Sequence, residues 1–387
     1  MRFSRLPTRL KEDAGFILFI VLLAALCRLA WIYPLYNWDI LPSVALVNEP
    51  SRDPVKLHGR AYGTADLETP PSVAHSFRVS EYDTKNRLDS ARNPWHFAEQ
   101  LPLYSVKPLY ILTLTAMHRA GLGTFVASRL LSVISFAIFG SIFFLWLRKF
   151  TGTLVASLST CFLLATPDFL SVGGETSPDA FFACLAFAGI YLIFEKKQFF
   201  PGWCLLALVP LVRTDGLVLI LLVVALLAWK PRGFPWRYGL AILAVEIVAS
   251  QAMSWLGGGY SFRTLFYHSF VNRNPAIAEV TVHLTVADYF HALYVFVLGS
   301  IASPRPLYFL LGLVSLKARG TPRLLRNLAW LAMTFAVVHV ALFPLPDSRF
   351  LILPFALIVL WAAGTLASSG NRDPREGAWG AWSLRGN

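Results

Sequence analysis

The chain has 387 residues, 56% of them hydrophobic and only 14% charged, with a mean hydropathy of +0.56 and a formal net charge of +12. Soluble domains run nearer roughly 45–50% apolar and about 25% charged. The composition excludes a conventional water-soluble enzyme and a disordered chain. It also excludes a nucleic-acid-binding domain, whose Lys and Arg gather on one polar face; here they sit in small groups between apolar runs. Cys27, Cys161, Cys184 and Cys204 all lie inside apolar runs without metal-type spacing, so neither a disulfide nor a zinc site is expected.

A helix needs about 20 residues to cross a bilayer core of roughly 30 Å. Against that length the apolar runs predict about ten spans, at 15–33, 124–147, 152–170, 179–194, 200–213, 215–229, 238–256, 300–316, 327–346 and 350–368. The expected fold is an all-α, polytopic integral membrane protein forming one transmembrane domain. The first run is read as a retained span: Leu26 is too large to precede a lipoprotein cleavage site, and no A-x-A site follows.

Basic residues set the expected orientation. With a cytoplasmic N-terminus, the inside segments are 1–14, 148–151, 195–199, 230–237, 317–326 and a tail at 369–387. They hold 18 Lys and Arg against five acids, a balance of +13, while spans and outer connections together carry −1. This is the positive-inside pattern, and it makes the basicity a topology signal rather than an attraction for an acidic partner.

Outside, residues 34–123 form a loop of about 90 residues, and within it KPLYILTLTAM (107–117) is apolar but too short to span. It reads as an interfacial helix near 107–118. A second outer connection, 257–299, ends in ADYFHALYVFVLGS, which reads as another. Large connections with surface helices on one side point to a reaction chamber there.

Ionisable groups in or beside spans are costly and are candidates for function. Asp39 follows the first span in YNWDILP, placed either to act as a base or to cap an interfacial helix. Asp168, Glu175 and Asp179 cluster between the third and fourth spans. Ser177-Pro178-Asp179 also reads as a helix start, with an N-cap, a first-turn proline and an acid on the positive dipole end. Arg213 and Asp215 occupy the bend of a short hairpin, as a mutual ion pair or as ligand contacts. Lys107 and Arg349 stand at outer boundaries, positioned to hold a lipid phosphate or to snorkel to ordinary headgroups. Arg28, Glu246 and His339 lie deeper in spans.

Several stretches in order resemble the GT-C membrane glycosyltransferases, among them the protein O-mannosyltransferases and the lipid A aminoarabinose transferases. YSVKPLYILTL is similar to that family's interfacial helix, and ASRLLSVISFAIFGSIFFLWLRKFTG to its second span. SPDAFFACLAFAGIYLIFEKK resembles its acid-led fourth span, PLVRTDGLVLILLVVALLAW its short hairpin, and SRFLILPFALIVLWAA its Arg-aromatic entry to a late span. The resemblance implies sugar transfer from a polyprenyl-phosphate carrier to a lipid, glycan or protein acceptor on the periplasmic or luminal face. It implies Asp39 as base, Asp179 as a second acid, and Lys107 and Arg349 as ligands of the donor phosphate; by position in the sequence Glu175 is a further catalytic candidate and Arg213 a further candidate for donor binding. Membrane lipid and the carrier-linked sugar are the expected partners. No nucleic acid is expected, and no cofactor is required, a divalent metal staying open.

The absence of any N-x-Ser/Thr sequon points to a bacterial inner membrane rather than the endoplasmic reticulum. The rival expectations are a transporter or flippase of lipid-linked sugars, against which stands the lack of internal repeats, and a non-catalytic membrane scaffold.

Overall fold

A computed structural model describes residues 8–47, 51–79, 84–228, 236–256, 260–272, 274–316 and 322–370. Among them the regular structure is helical, and the one β-bridge pairs Leu35 with Glu175. Arg2, Arg5, Lys230, Arg232, Lys317, Arg319 and the expected tail from residue 371 lie outside the described residues.

The first span is α1 (Thr8–Ile32). The first long connection then folds into α2 (Ile40–Leu46), α3 (Pro54–Glu68), α4 (Pro71–Ser76), α5 (Thr84–Arg92), α6 (Pro94–Gln100), α7 (Pro102–Ser105) and α8 (Pro108–Arg119). Local sequence explains two of these starts. Asp53 accepts the Val55 N–H at 3.0 Å ahead of Pro54, and Asn93 accepts the Trp95 N–H at 3.0 Å ahead of Pro94. A polar cap followed by proline satisfies or removes the orphan donors of a first turn. The connection is more than a loop with one surface helix. Ile40, Leu41, Val44, Leu57, Phe97 and Leu114 are among the buried side chains of a second apolar core, separate from that of the bundle. The expected helix near 107–118 is α8.

The bundle continues with α9 (Thr124–Leu147), α10 (Thr153–Ala165), α11 (Pro167–Gly174), α12 (Asp179–Tyr191), α13 (Phe199–Leu208), α14 (Gly216–Ala228) and α15 (Trp236–Leu256). It closes with α16 (Phe262–Phe266), α17 (Val286–Ile301), α18 (Arg305–Leu316), α19 (Arg323–Leu342) and α20 (Ile352–Gly370). The bundle core is rich in aromatics: Phe139 and Phe187 meet at 4.9 Å, and Trp146 packs edge-on to Tyr191 at 5.3 Å.

Among the described residues four helices are long and apolar enough to cross a membrane: 12–32 within α1, α9, α19, and Ser348–Ala367 including most of α20. The count becomes six if the bent pairs α10–α11 and α17–α18 are single spans, and this falls short of the ten expected. The reasons are local. The run at 152–170 breaks by 71° where extended Thr166 precedes Pro167, a residue that disfavours helix before it. The runs at 200–213 and 215–229 yield helices of only 10 and 13 residues. The segment expected to lie in the interface, α17, turns 89° into α18.

Candidate functional site

Chain segments from five parts of the sequence meet beyond the end of α1. The contact begins with backbone: the Leu35 N–H donates to the Gly174 carbonyl at 3.0 Å, and the Thr176 N–H donates to the Leu35 carbonyl at 3.0 Å. Gly174 is required here. A Cβ at this position would lie 2.9 Å from the Ala30 carbonyl oxygen and 3.2 Å from that of Tyr33.

This pairing sets Asn37, which ties three groups together. Its side-chain oxygen accepts the Asp39 N–H at 3.0 Å, an Asx-type turn, and its Nδ2 donates to Glu175 Oε1 at 2.6 Å. Its backbone N–H donates to Thr176 Oγ1 at 2.9 Å. From α9, Ser132 Oγ donates to the Glu175 carbonyl at 2.7 Å. Asp39 precedes α2, but its carboxylate caps nothing. Oδ1 accepts the Tyr104 hydroxyl at 2.9 Å, and Oδ2 lies 3.2 Å from Arg349 Nη2.

Arg349 is the centre of the cluster. It sits in a 3₁₀ turn, Ser348–Leu351, capped by Asp347, whose Oδ1 accepts the Arg349 N–H at 3.2 Å. Asp347 Oδ2 also pairs with Arg349 Nε at 2.8 Å, without the angle of a hydrogen bond. Arg349 Nη1 lies 3.1 Å from Glu175 Oε1 and 3.6 Å from Asp179 Oδ2. One guanidinium therefore serves four carboxylates. Arg213 takes the other oxygen of Asp179 at 2.6 Å and forms a two-pronged pair with Asp215, whose Oδ2 lies 3.2 Å from His339 Nδ1. Phe350 underlies both guanidinia, 4.7 Å from Arg213 and 4.8 Å from Arg349, and Phe182 faces Arg213 at 4.3 Å. Cation–π contacts of this kind favour desolvated guanidinium groups.

Of the ionisable side chains named from sequence, the six expected at the site come together: Asp39, Glu175, Asp179, Lys107, Arg213 and Arg349. Their depths differ. Asp179 is 2% exposed and enclosed between two guanidinia, the geometry of a counter-ion, whereas Asp39 is 29% exposed at the mouth. The Ser177 cap is marginal, its hydroxyl accepting the Asp179 N–H at 3.4 Å. Lys107, at the start of α8, is the site cation without an ion pair among the described residues; its Nζ lies 4.8 Å from the Tyr104 ring. The backbone fixes it against the hairpin, the Leu109 N–H donating to the Leu211 carbonyl at 3.0 Å.

Burial opposes the charge of Asp39, but Arg349, Lys107 and the Tyr104 hydroxyl outweigh it and hold the carboxyl below its usual range. Burial lowers the Lys107 ammonium, with Asp39 and Asp179 acting against that shift and both arginines adding to it. Glu175 goes the other way. Burial raises it, Arg349 offsets part of the rise, and neighbouring Asp179 adds to it.

Asp168 and Arg28 stand apart. Asp168 is buried with one oxygen unpartnered, and Arg28 is exposed on α1 rather than lining a cavity. Glu246 lines a small notch with Val106, Pro210, Leu211, Thr214 and Ser250. Asn37, Tyr104, Thr176 and Asp347 complete the site without having been anticipated. Asn37 and Asp347 carry a readable signal, a side chain two residues ahead of an ionisable partner that invites an Asx turn. Among the described residues no group of three or more His, Cys, Asp or Glu side chains has an arrangement suited to a metal ion. No protein-family model, curated protein or solved structure matches this chain.

Proposed function

We propose that this chain is a membrane glycosyltransferase of GT-C type, moving a sugar from a polyprenyl-phosphate carrier to a hydroxyl on a lipid, glycan or protein acceptor at the periplasmic or luminal face. The ten-span topology with both termini cytoplasmic, in a bacterial inner membrane, belongs to the same proposal. In the reaction the acceptor oxygen bonds to the anomeric carbon as the bond from that carbon to the phosphate oxygen breaks. The acceptor proton passes to Asp39, the polyprenyl phosphate departs as an anion, and the configuration inverts.

The observation that carries the reading is the pairing of an ionised, partly open Asp39 with an unpaired Lys107 through Tyr104, which binds one with its hydroxyl and faces the other with its ring. A carboxylate held ionised accepts a proton, and a cation without a carboxylate partner is available to a phosphate. Arg349 and Arg213 are occupied by carboxylates, so their part is to hold the acids and to set the field rather than to meet the phosphate first.

The test is transfer from a defined polyprenyl-phosphate sugar by the reconstituted protein. Asp39→Asn keeps an acceptor for Tyr104 but cannot take a proton, and is expected to lose on the order of 10²–10⁴-fold in rate. Full activity in that variant overturns the mechanism. A second reading, a non-catalytic scaffold, draws on the same saturation of the two arginines. It requires that wild type transfers no sugar and that Asp39→Asn changes only stability.

A further inference from the structure

His339 is a buried group that the proposed chemistry does not use. It lies in the last turn of α19, and its ring stacks on Phe350 at 5.5 Å and tilts against Phe335 at 6.2 Å. A phenylalanine would fill that space between rings without burying a nitrogen, yet His339 Nε2 is buried with no hydrogen-bond partner among the described residues. The other nitrogen, Nδ1, faces Asp215 Oδ2 at 3.2 Å. A carboxylate only accepts, so Nδ1 carries the proton.

From Asp215 an unbroken line of charge contacts crosses the site. Asp215 holds Arg213 through both oxygens, one at 3.1 Å from Nε. Arg213 Nη1 is 2.6 Å from Asp179, Asp179 is 3.6 Å from Arg349 Nη1, and Arg349 Nη2 is 3.2 Å from Asp39. The line joins α19, the hairpin bend, the start of α12, the 3₁₀ turn and the stretch after α1. Each arginine is planar and multidentate, so moving one end turns the other.

We propose that His339 is a positioning residue: its Nδ1–H fixes Asp215, which aims Arg213 at Asp179 and so keeps Arg349 seated against Asp39. The inference deepens the glycosyl-transfer reading and rests on it for its rate assay only. The groups facing His339 are Asp215 from the bend and the rings of Phe335 and Phe350. Those facing Asp39 are Tyr104 and Lys107 from the first connection and Arg349 from the 3₁₀ turn, with Glu175 and Asp179 sharing that arginine.

The variants are His339→Phe, which keeps the stacked ring and removes the donor, and His339→Asn, whose amide N–H stands near the position of Nδ1. In His339→Phe the loosened Arg349 no longer opposes the burial of Asp39. The acid limb of kcat/KM therefore moves to higher pH by on the order of one unit, and kcat falls on the order of 100-fold while KM for the donor holds. His339→Asn recovers both, and Asp215→Asn reproduces the loss. A wild-type acid limb in His339→Phe, or equal damage by Phe and Asn, overturns the proposal. An activity-independent arm titrates the Asp39 carboxyl by its ¹³C resonance, assigned through Asp39→Asn. Its midpoint rises in His339→Phe and returns in His339→Asn; an unchanged midpoint overturns the relay. If wild type transfers no sugar, the transferase reading falls and this titration alone decides the role of His339.

Discussion

Arg349 and Asp39 stand 310 positions apart in the chain and meet at 3.2 Å, with Glu175 held at 3.1 Å by the same guanidinium. The late 3₁₀ turn, the stretch after the first span and the break before α12 are thereby closed around one largely enclosed cation. Arg349 is 10% exposed, so its charge is offset by carboxylates rather than water.

Removing that cation leaves several acids together without compensation. Breaking a buried ion pair by deleting one partner costs about 3–5 kcal/mol. Arg349→Leu is therefore expected to lower the unfolding free energy by about 3 kcal/mol or more, read by denaturant titration in detergent. Arg349→Lys is expected to recover little, because an ammonium cannot reach four carboxylates at once. Adding Glu175→Gln to Arg349→Leu removes one of the repelling charges, so the double variant should be more stable than Arg349→Leu alone. Additive losses in this cycle would show that the cluster does not act as a unit.

Glu175 and Asp39 predict opposite pH dependences. The folded-state pKa of Glu175 is raised, by burial first and by Asp179. The native state then binds the proton more tightly than the unfolded chain, and stability falls as pH rises from the ordinary glutamate range through the raised value. Glu175→Gln, a mimic of the protonated form, should match wild type in acid and exceed it above that window. Asp39 is lowered instead, so its contribution is present above the ordinary aspartate pKa and is lost as pH falls through the depressed one. Melting temperature against pH for wild type, Glu175→Gln and Asp39→Asn separates the two. A Glu175→Gln curve below wild type in alkaline buffer would contradict the assignment.

The charged residues of the cluster were easier to read from the sequence than the breaks within its apolar runs. Asp39, Lys107, Glu175, Asp179, Arg213 and Arg349 stand out because a charge in an apolar context is conspicuous at any register. Their mutual arrangement was not legible, since it depends on the Leu35–Gly174 backbone pairing and on which carboxylate reaches which guanidinium nitrogen. The Arg213–Asp215 pair was foreseen, but its links to Asp179 and His339 were not. Hydropathy alone cannot distinguish a straight span from the 71° break at Thr166-Pro167, nor a full crossing from the 13-residue α14. The second core, built mostly from 34–123, escaped notice because its apolar positions are scattered over short helices, two of them, α3 and α6, started by a polar cap and a proline.

Lys107 should behave as a binding group rather than a structural one. It has no ion pair among the described residues, so Lys107→Gln is expected to leave the melting temperature unchanged. Loss of a charge-assisted contact to phosphate should raise KM for the carrier-linked sugar about tenfold or more. Burial, with help from both arginines, lowers the ammonium pKa. The alkaline limb of the rate profile should therefore begin below the ordinary lysine range, and Lys107→Arg should push it upward. Unchanged KM in Lys107→Gln would remove Lys107 from donor binding.

The last prediction concerns how the two long connections hold each other. From α6, His96 lies 2.7 Å from Asp89 and 3.5 Å from Glu279, while Glu99 accepts the Ala278 N–H at 2.8 Å and the Tyr260 hydroxyl on its carbonyl at 2.9 Å. Burial lowers the imidazole pKa, but Asp89 and then Glu279 outweigh it and raise it overall. The stabilisation by protonated His96 is thus complete below the ordinary histidine pKa and lost as pH rises through the higher folded value. Glu279 is 69% exposed, so the pair is screened and worth at most about 1 kcal/mol. That is enough to alter local opening without unfolding the chain. Amide exchange at Ala278, corrected for its intrinsic pH dependence, should lose protection as pH rises through the window, and His96→Gln should abolish the change. Protection that follows the same course in both proteins would show that Glu99 and Tyr260 hold this contact without the histidine.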